Sequence, residues 1–144
     1  MTAPPNLEDF PCRTFDKLRY GDTDRQGHVN NAVFATFFET GRVELLNAIG
    51  WKPSNPDVSY VIARLVIDFR AEIFWPGTVE IGTAISAIGN SSTVFTQALY
   101  QGEKCVATAS SVVVQVDNTT HRATPIDPEA RRLLSAWLLP PEPG

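Results

Sequence analysis

A single helical stripe set into an otherwise strand-forming sequence is what most constrains this chain. Between Asn31 and Ile49, the residues Phe34, Phe38, Gly41, Leu45 and Ile49 recur at spacings of four, three, four and four, with Phe37 beside them. That period puts them on one face of an amphipathic helix, and a stripe so wide has to be buried. Gly41 sits among large residues at a cost of about 1 kcal/mol in helix propensity relative to alanine. Its missing side chain is therefore expected to let the helix approach another backbone closely. Gly50 is a natural stop, and Lys52 to Pro56, with its two prolines, reads as a turn.

The remaining regular segments alternate as strands do. A first strand is expected from about Thr14 to Tyr20. Beyond the helix, Tyr60 to Phe74 carries Leu65, Ile67 and Phe69 in alternation, and Trp75-Pro76-Gly77-Thr78 turns into Val79, Ile81, Thr83, Ile85 and Ala87. Gly89-Asn90 separates these from Ser92 to Tyr100, and Gln101-Gly102-Glu103-Lys104 is a hairpin connection into Cys105 to Val116. Val106, Thr108, Ser110, Val112, Val114 and Val116 share one face of that last strand, which reads as a long apolar edge. Pro128 to Leu138 has the pattern of a short helix with proline in its first turn. Residues 1–13 hold three of the eleven prolines and read as an extended arm, and the chain closes in a proline-rich tail.

One helix, one strand before it and a meander of four after it imply an α+β architecture in which an antiparallel sheet wraps around the helix. The length of 144 residues favours one domain over residues 1–144, with its core at about 14–116, and leaves no room for separate cofactor and substrate modules. Twelve basic against sixteen acidic side chains give a formal charge of -4, which argues against nucleic acid as partner. No apolar run reaches the roughly 18 residues of a membrane span, and the first residues lack the apolar core of a secretory signal. Cys12 and Cys105 have no CxxC context, so neither a disulfide framework nor a metal motif is expected, and a reducing, cytoplasmic home follows.

The densest polar segment is Tyr20-Gly21-Asp22-Thr23-Asp24-Arg25-Gln26-Gly27-His28-Val29-Asn30-Asn31, directly before the helix. Free backbone donors at a helix start can stabilise an oxyanion, and a nearby carboxylate can act as nucleophile or as general base for water. Turn formation and capping are the alternative duties of these Asp and Asn residues, and His28 can equally serve the loop backbone. A zinc site is disfavoured because His121 and the cysteines stand far from His28 in the sequence. There is no GxSxG elbow, and no phosphate loop or dinucleotide fingerprint opens the helix. No cofactor is expected.

The run Tyr20-Gly21-Asp22-Thr23-Asp24, continued by Gly27-His28-Val29-Asn30-Asn31, Phe37-Phe38-Glu39 and Arg42-Val43-Glu44, resembles the hot-dog-fold acyl-CoA thioesterases of the 4-hydroxybenzoyl-CoA thioesterase type. The likeness covers roughly Thr14 to Val116. It implies a curved antiparallel sheet wrapped around one long central helix, and a homodimer, often a tetramer, with two active sites at the subunit interface. It implies hydrolysis of an acyl-CoA or acyl-carrier thioester, with coenzyme A part of the substrate. By the same resemblance Asp24 is the catalytic acid, the backbone amide of Asn31 polarises the thioester, and Asp22 is a turn or supporting residue. Asn30 orients loop or substrate. Where an aromatic-specific relative has arginines for the coenzyme A phosphates, this chain has Gly89-Asn90-Ser91-Ser92, so Ser91 and Ser92 are candidate substrate contacts. Arg64, Arg70 and Lys104 are the cations that can replace those arginines. Phe34, Phe37, Phe38 and Tyr60 are candidates for an acyl pocket, the alternative for a Phe stripe being core. Glu39 with His28 is a rival constellation, and two rival activities accompany it: acyl-thioester hydration or dehydration with His28 carrying the proton, and non-catalytic binding by a dimer.

Overall fold

The computed structural model describes residues 3–50 and 56–139. Most of the turn expected over Lys52–Pro56, and the tail beyond 139, lie outside the described residues. Strand β1 (Cys12–Lys17) precedes helix α1 (Asn31–Ala48), and β2 (Val58–Phe69), β3 (Thr78–Ile88), β4 (Ser92–Gln101) and β5 (Lys104–Asp117) follow it. A short helix, α2 (Pro128–Ser135), comes last. The stripe forms α1 as its period requires. Asn30 caps the start by accepting from the Ala32 amide at 3.0 Å. Gly50 ends it in the left-handed region at φ 67°.

Gly41 is where the helix meets the sheet. A Cβ there would lie 2.6 Å from Ile81 Cγ2, 2.6 Å from Thr83 Oγ1 and 2.7 Å from Gln97 Nε2. Gln97 fills that contact with polar groups: its amide donates to the Phe38 carbonyl at 2.9 Å and to Thr83 Oγ1 at 3.0 Å, and its Oε1 accepts from Arg42 at 3.4 Å. Burial lowers the pKa of the Arg42 guanidinium from its ordinary value, with Glu39 opposing the shift. Phe34, Phe37 and Phe38 of the helix sit against small Ala107 and Ala109 of β5 and against Ile81 and Leu99. A second cluster joins Leu45 to Ile85, Phe95, Val113 and the inner side of α2.

The sheet corrects three expectations. First, the strands run in the order β1-β3-β4-β5-β2, all pairings antiparallel, so the four strands after the helix are not a simple meander. β1 takes one edge of β3 (Cys12 opposite Thr83) and β4 the other, which leaves β2 only the far side of β5. Second, the valine-rich strand β5 is interior and not an edge; the edges are β1 and β2.

Third, the curved sheet wrapped around the helix is not what this chain forms. The architecture is α+β and hot-dog-like, but the five-stranded sheet is open, with β1 and β2 unpaired to each other. The close backbone approaches of α1 are to β1, β3 and β4. A helix about 10 Å across lies over two or three strands spaced about 4.8 Å apart, and α1 meets β5 and β2 through the long side chains of Phe34, Phe37 and Phe38. The arm departs from expectation too. It contains a 3₁₀ turn over Leu7–Asp9, and Phe10 lies on the outer face of the sheet, so near Gly82 that a Cβ there would fall 2.5 Å from its ring.

Candidate active site

The polar loop before α1 folds as a set of interlocked turns. Asp22, buried, accepts from the Arg19 amide at 3.0 Å, and its carbonyl accepts from the Asn30 amide at 2.8 Å. That is turn work, done beneath the loop. Asp24 is exposed above it. Its Oδ1 accepts from the amides of Gln26 at 2.8 Å and His28 at 3.2 Å, and its own amide donates to the His28 carbonyl at 2.7 Å. Its Oδ2 has no partner among the described residues. One oxygen is thus anchored by two amides while the other is available.

Asp24, His28, Asn30, Asn31, Phe34 and Arg70 share the wall of an open cavity of about 590 Å³. It lies between the loop, the start of α1 and the end of β2. At the helix start the Ala32 amide is satisfied by Asn30 Oδ1 and the Val33 amide by the Asn30 carbonyl at 2.9 Å. The Asn31 amide, at the first helical position, has no acceptor within the helix. The positive end of α1 therefore faces the same space as the Asp24 carboxylate. Phe34 packs edge-on against Phe69 at 5.0 Å, giving the cavity an aromatic flank.

Arg70, one of the candidate cations, and Glu72, which the sequence reading missed, also line the wall. The chain leaves β2 at Phe69, where the amides of Arg70 and Ala71 both donate to the Val106 carbonyl, at 2.9 and 3.1 Å, and end the ladder. The next residues pair with the loop: the Val29 amide donates to the Ile73 carbonyl at 2.8 Å, and His28 and Phe74 form an antiparallel bridge. This brings Glu72 Oε2 to 3.2 Å from His28 Nε2. The sequence signal for Glu72 was a carboxylate between Ala71 and Ile73 in an otherwise apolar stretch after Arg70.

Other candidates lie elsewhere. Phe37 and Phe38 are fully buried in the core and off the cavity wall. Glu39 is exposed on α1 and does not line the cavity. Tyr60, Ser91 and Ser92 sit at the opposite end of the sheet. Phe69 pairs with Ala107 at the cavity end, whereas Tyr60 pairs with Gln115, eight residues or about 26 Å further along β5. Tyr60 joins the cluster around Leu134, where burial, helped by the Asp127 carboxylate, pushes its hydroxyl well above the ordinary tyrosine range. The Ser91 carbonyl accepts from Gln115 and that of Ser92 from Gly89, both at 2.8 Å, so both backbones serve the hairpin. Of the three cations, only Arg70 reaches the cavity. Among the described residues no group of three or more His, Cys, Asp or Glu is placed to hold a metal ion, and no helix is long and apolar enough to cross a membrane.

An open antiparallel sheet thus carries one long helix, and the Asp24 loop and the start of that helix converge on one cavity. The Thioesterase-like superfamily matches over residues 18–138, and this chain belongs to that family. Among individual proteins it is similar to the acyl-CoA thioester hydrolase YbgC of Escherichia coli O157:H7, at 27% identity over 108 residues, 73% of this chain and 78% of that one. In structure it resembles the PA5185 protein of Pseudomonas aeruginosa PAO1, with a TM-score of 0.83 at 27% identity over 94% of this chain and 96% of that one. A thioesterase of Thermus thermophilus, solved with coenzyme A and Zn, gives a TM-score of 0.81 at 28% identity over 93% and 99% of the two chains.

Proposed function

We propose that this protein hydrolyses an acyl-CoA or acyl-carrier thioester to the free acid and thiol, with Asp24 as the catalytic acid residue. The observation that carries this reading is the split duty of its carboxylate: Oδ1 is fixed by two loop amides, Oδ2 has no partner among the described residues, and Asp24 lines the same cavity as Asn31 at the start of α1. As general base, Asp24 takes a proton from water; the hydroxide adds to the thioester carbon, and the oxyanion is held by the Asn31 amide. The C–S bond then breaks, and the thiolate takes the proton that Asp24 removed from water, directly or by way of the His28 ring, which regenerates the carboxylate. As nucleophile, Oδ2 adds directly and forms an anhydride that water opens. Single-turnover reaction in heavy-oxygen water separates the two routes by whether the label enters Asp24. The relatives named for acyl-CoA and coenzyme A favour an acyl-CoA substrate. Asn30 shapes the helix start, and Phe34 gives the acyl group an apolar wall.

Thiol release from a panel of acyl-CoAs tests the reaction. Asp24→Asn and Asp24→Ala should each lower kcat by at least about a hundredfold, Asp24→Asn without a shift in melting temperature because its amide oxygen still accepts from Gln26 and His28. A variant that keeps a third of wild-type turnover defeats the assignment.

The same reading takes the active form to be a homodimer joined along β2. That strand is a 12-residue edge whose Val61, Ile62, Val66 and Phe69 are all exposed, a long apolar edge of the kind that invites pairing. A two-fold pairing of β2 with its own copy, centred on the strand, sets Tyr60 of the partner subunit opposite Ile67 and next to the cavity end. Tyr60 and the neighbouring Ser91 hairpin would then contribute in trans. Ile62→Asp should remove dimer and activity together. A fully active monomer, found by sedimentation velocity beside thiol-release assays across a dilution series, contradicts the dimer and leaves the Asp24 assignment standing; two such dimers can also form a tetramer.

A further inference from the structure

We propose that Tyr20 and Trp75 form a stacking platform for the adenine ring of a coenzyme A thioester, so that the site takes acyl-CoA in preference to an acyl group on a carrier that ends in phosphopantetheine. The inference rests on the thioesterase reading of the cavity and deepens it by naming the thiol carrier. Tyr20 is 75% exposed and Trp75 44%, yet the two rings meet edge to face, with centroids 5.4 Å apart and planes at 69°. Large aromatic side chains left together in water mark a surface that another molecule covers. An edge-to-face pair keeps open π-faces, and a nucleobase stacks on such a face whatever its hydrogen-bonding edge presents.

The pair is joined to the cavity by further rings and is held on ordered backbone. Phe74, beside Trp75 in the chain, is 52% exposed and stands edge-on to His28 at 5.2 Å and 84°, and His28 lines the cavity. The Gln101 side chain clamps the Phe74 backbone from both ends of its amide: Oε1 accepts from the Phe74 amide at 3.0 Å, and Nε2 donates to the Phe74 carbonyl at 2.7 Å. The Tyr20 carbonyl accepts from the Thr23 amide at 3.2 Å and from Thr23 Oγ1 at 2.7 Å. A ligand that stacks here therefore has little backbone freedom to remove. The reach agrees as well. One ring contact of 5.2 Å, one Cα step and two side-chain lengths put the Trp75 ring at most about 20 Å from the His28 ring. Pantetheine, about thirteen bonds from its sulfur to the first phosphorus, spans about 15 Å when extended, and in coenzyme A the second phosphate and the ribose carry the adenine further. Phosphopantetheine stops before the platform. A lipid surface or a second protein copy are the rival occupants, and neither gains from an adenine on the substrate.

The test measures thiol release from one acyl group carried on coenzyme A and on phosphopantetheine, using the wild type, Trp75→Ala, Trp75→Phe and Tyr20→Ala. The wild type should show a KM for the coenzyme A ester at least about fivefold lower, the low end of what stacking a base on an aromatic side chain supplies. Trp75→Ala and Tyr20→Ala should each raise that KM by about 5- to 100-fold, with kcat held within about twofold and the phosphopantetheine ester unaffected. Trp75→Phe keeps a π-face and should recover most of the loss. Independently of turnover, free coenzyme A should quench tryptophan fluorescence in the wild type and phosphopantetheine should not. The quench should vanish in Trp75→Phe, which retains Trp51 and Trp137. Equal KM values for the two esters in the wild type, an equal effect of Trp75→Ala on both, or a quench that survives in Trp75→Phe overturns the platform and leaves hydrolysis standing. Loss of self-association, or of binding to phosphatidylglycerol vesicles, in a Trp75→Ala protein with both KM values unchanged gives the pair to a rival occupant and overturns it too. A coenzyme A quench that is lost in Trp75→Phe, in a protein that releases thiol from neither ester, upholds the platform and removes the thioesterase reading.

Discussion

Substituting Gly41 by alanine sets two physical rules against each other, and the structure says which wins. Helix propensity alone favours alanine at an interior helical position by about 1 kcal/mol, so a chain whose α1 touched nothing at this point would be stabilised. Here the added methyl would stand 2.6 Å from both Ile81 Cγ2 and Thr83 Oγ1. Ordinary carbon contact begins near 3.5 Å, so helix and sheet must part by about 1 Å. The obstacles are β-branched side chains on the interior strand β3, which cannot swing aside as a long flexible chain could. Overpacking of this kind costs about 1–3 kcal/mol. The methyl would also lie 2.7 Å from Gln97 Nε2, displacing the amide from the Phe38 carbonyl and Thr83 Oγ1. The lost hydrogen bonds add about 1 kcal/mol each. Set against the propensity gain, the net expectation is a destabilisation of about 2–4 kcal/mol in urea unfolding, with the m-value unchanged. Because α1 also carries the Asn31 amide into the cavity, a shift of about 1 Å should lower kcat by up to a hundredfold. A Gly41→Ala protein as stable as the wild type, or more so, would falsify the claim that this glycine is required by close approach.

Three further outcomes are expected. Asn30→Ala removes the side-chain acceptor for the Ala32 amide and should cost about 1 kcal/mol in chemical denaturation, with a fall in kcat if the cap also keeps the Asn31 amide in place; a stability unchanged within error counts against the cap. Tyr100, whose hydroxyl donates to the Pro5 carbonyl, is pushed up to about 12 from an ordinary value of 10.0, first by burial and then by Cys105. A raised folded-state value gives stability that is whole below pH 10 and lost between 10 and 12, so unfolding free energy should fall by about 1–2 kcal/mol over that window, and Tyr100→Phe should flatten the slope. Gly82→Ala drives a Cβ to 2.5 Å from the Phe10 ring and should lift the arm from the sheet, exposing the bond around Pro5 to proteolysis while kcat stays near wild type; an arm as protected as in the wild type contradicts the packing account.

What the sequence made legible follows from how local each signal is. The helix was readable because its stripe and its caps lie within twenty residues of one another, and the close approach at Gly41 was readable because nothing else excuses a glycine there. The strand order was not, because it depends on which edges are already occupied, and β1 claims β3 from outside the run of four. The valines of β5 illustrate a second limit. Valine suits a pleated surface whether or not it is buried, and here Val112, Val114 and Val116 are half-buried while Ala107, Ala109, Ser111 and Val113 face inward. Ala107 and Ala109 are small because Phe34, Phe37 and Phe38 of the helix already fill the space above them. Hydrophobicity read along one strand cannot register a volume supplied by another element.

The candidate site divides along the same line. Asp24, His28, Asn30 and Asn31 are contiguous, so a motif brings them into view at once, and the structure finds them on one wall. Glu72 stands more than forty residues away in the sequence, at the frayed end of what reads as an ordinary strand. It reaches His28 only because the segment after β2 leaves the sheet at Arg70 and pairs with the loop instead, through Val29 and Ile73. Tyr60 and Ser91–Ser92 show the converse. The resemblance assembles them with Asp24, yet within one chain about 26 Å of strand separates them from the cavity end. A relationship that holds across a dimer leaves no trace in the geometry of a protomer except an unpaired edge, and β2 is such an edge. If both the aspartate and the paired edge are required, then loss of activity on dilution and loss of activity on Asp24→Asn should be separable. Dilution should be reversed by raising the protein concentration, whereas no concentration should restore the aspartate variant.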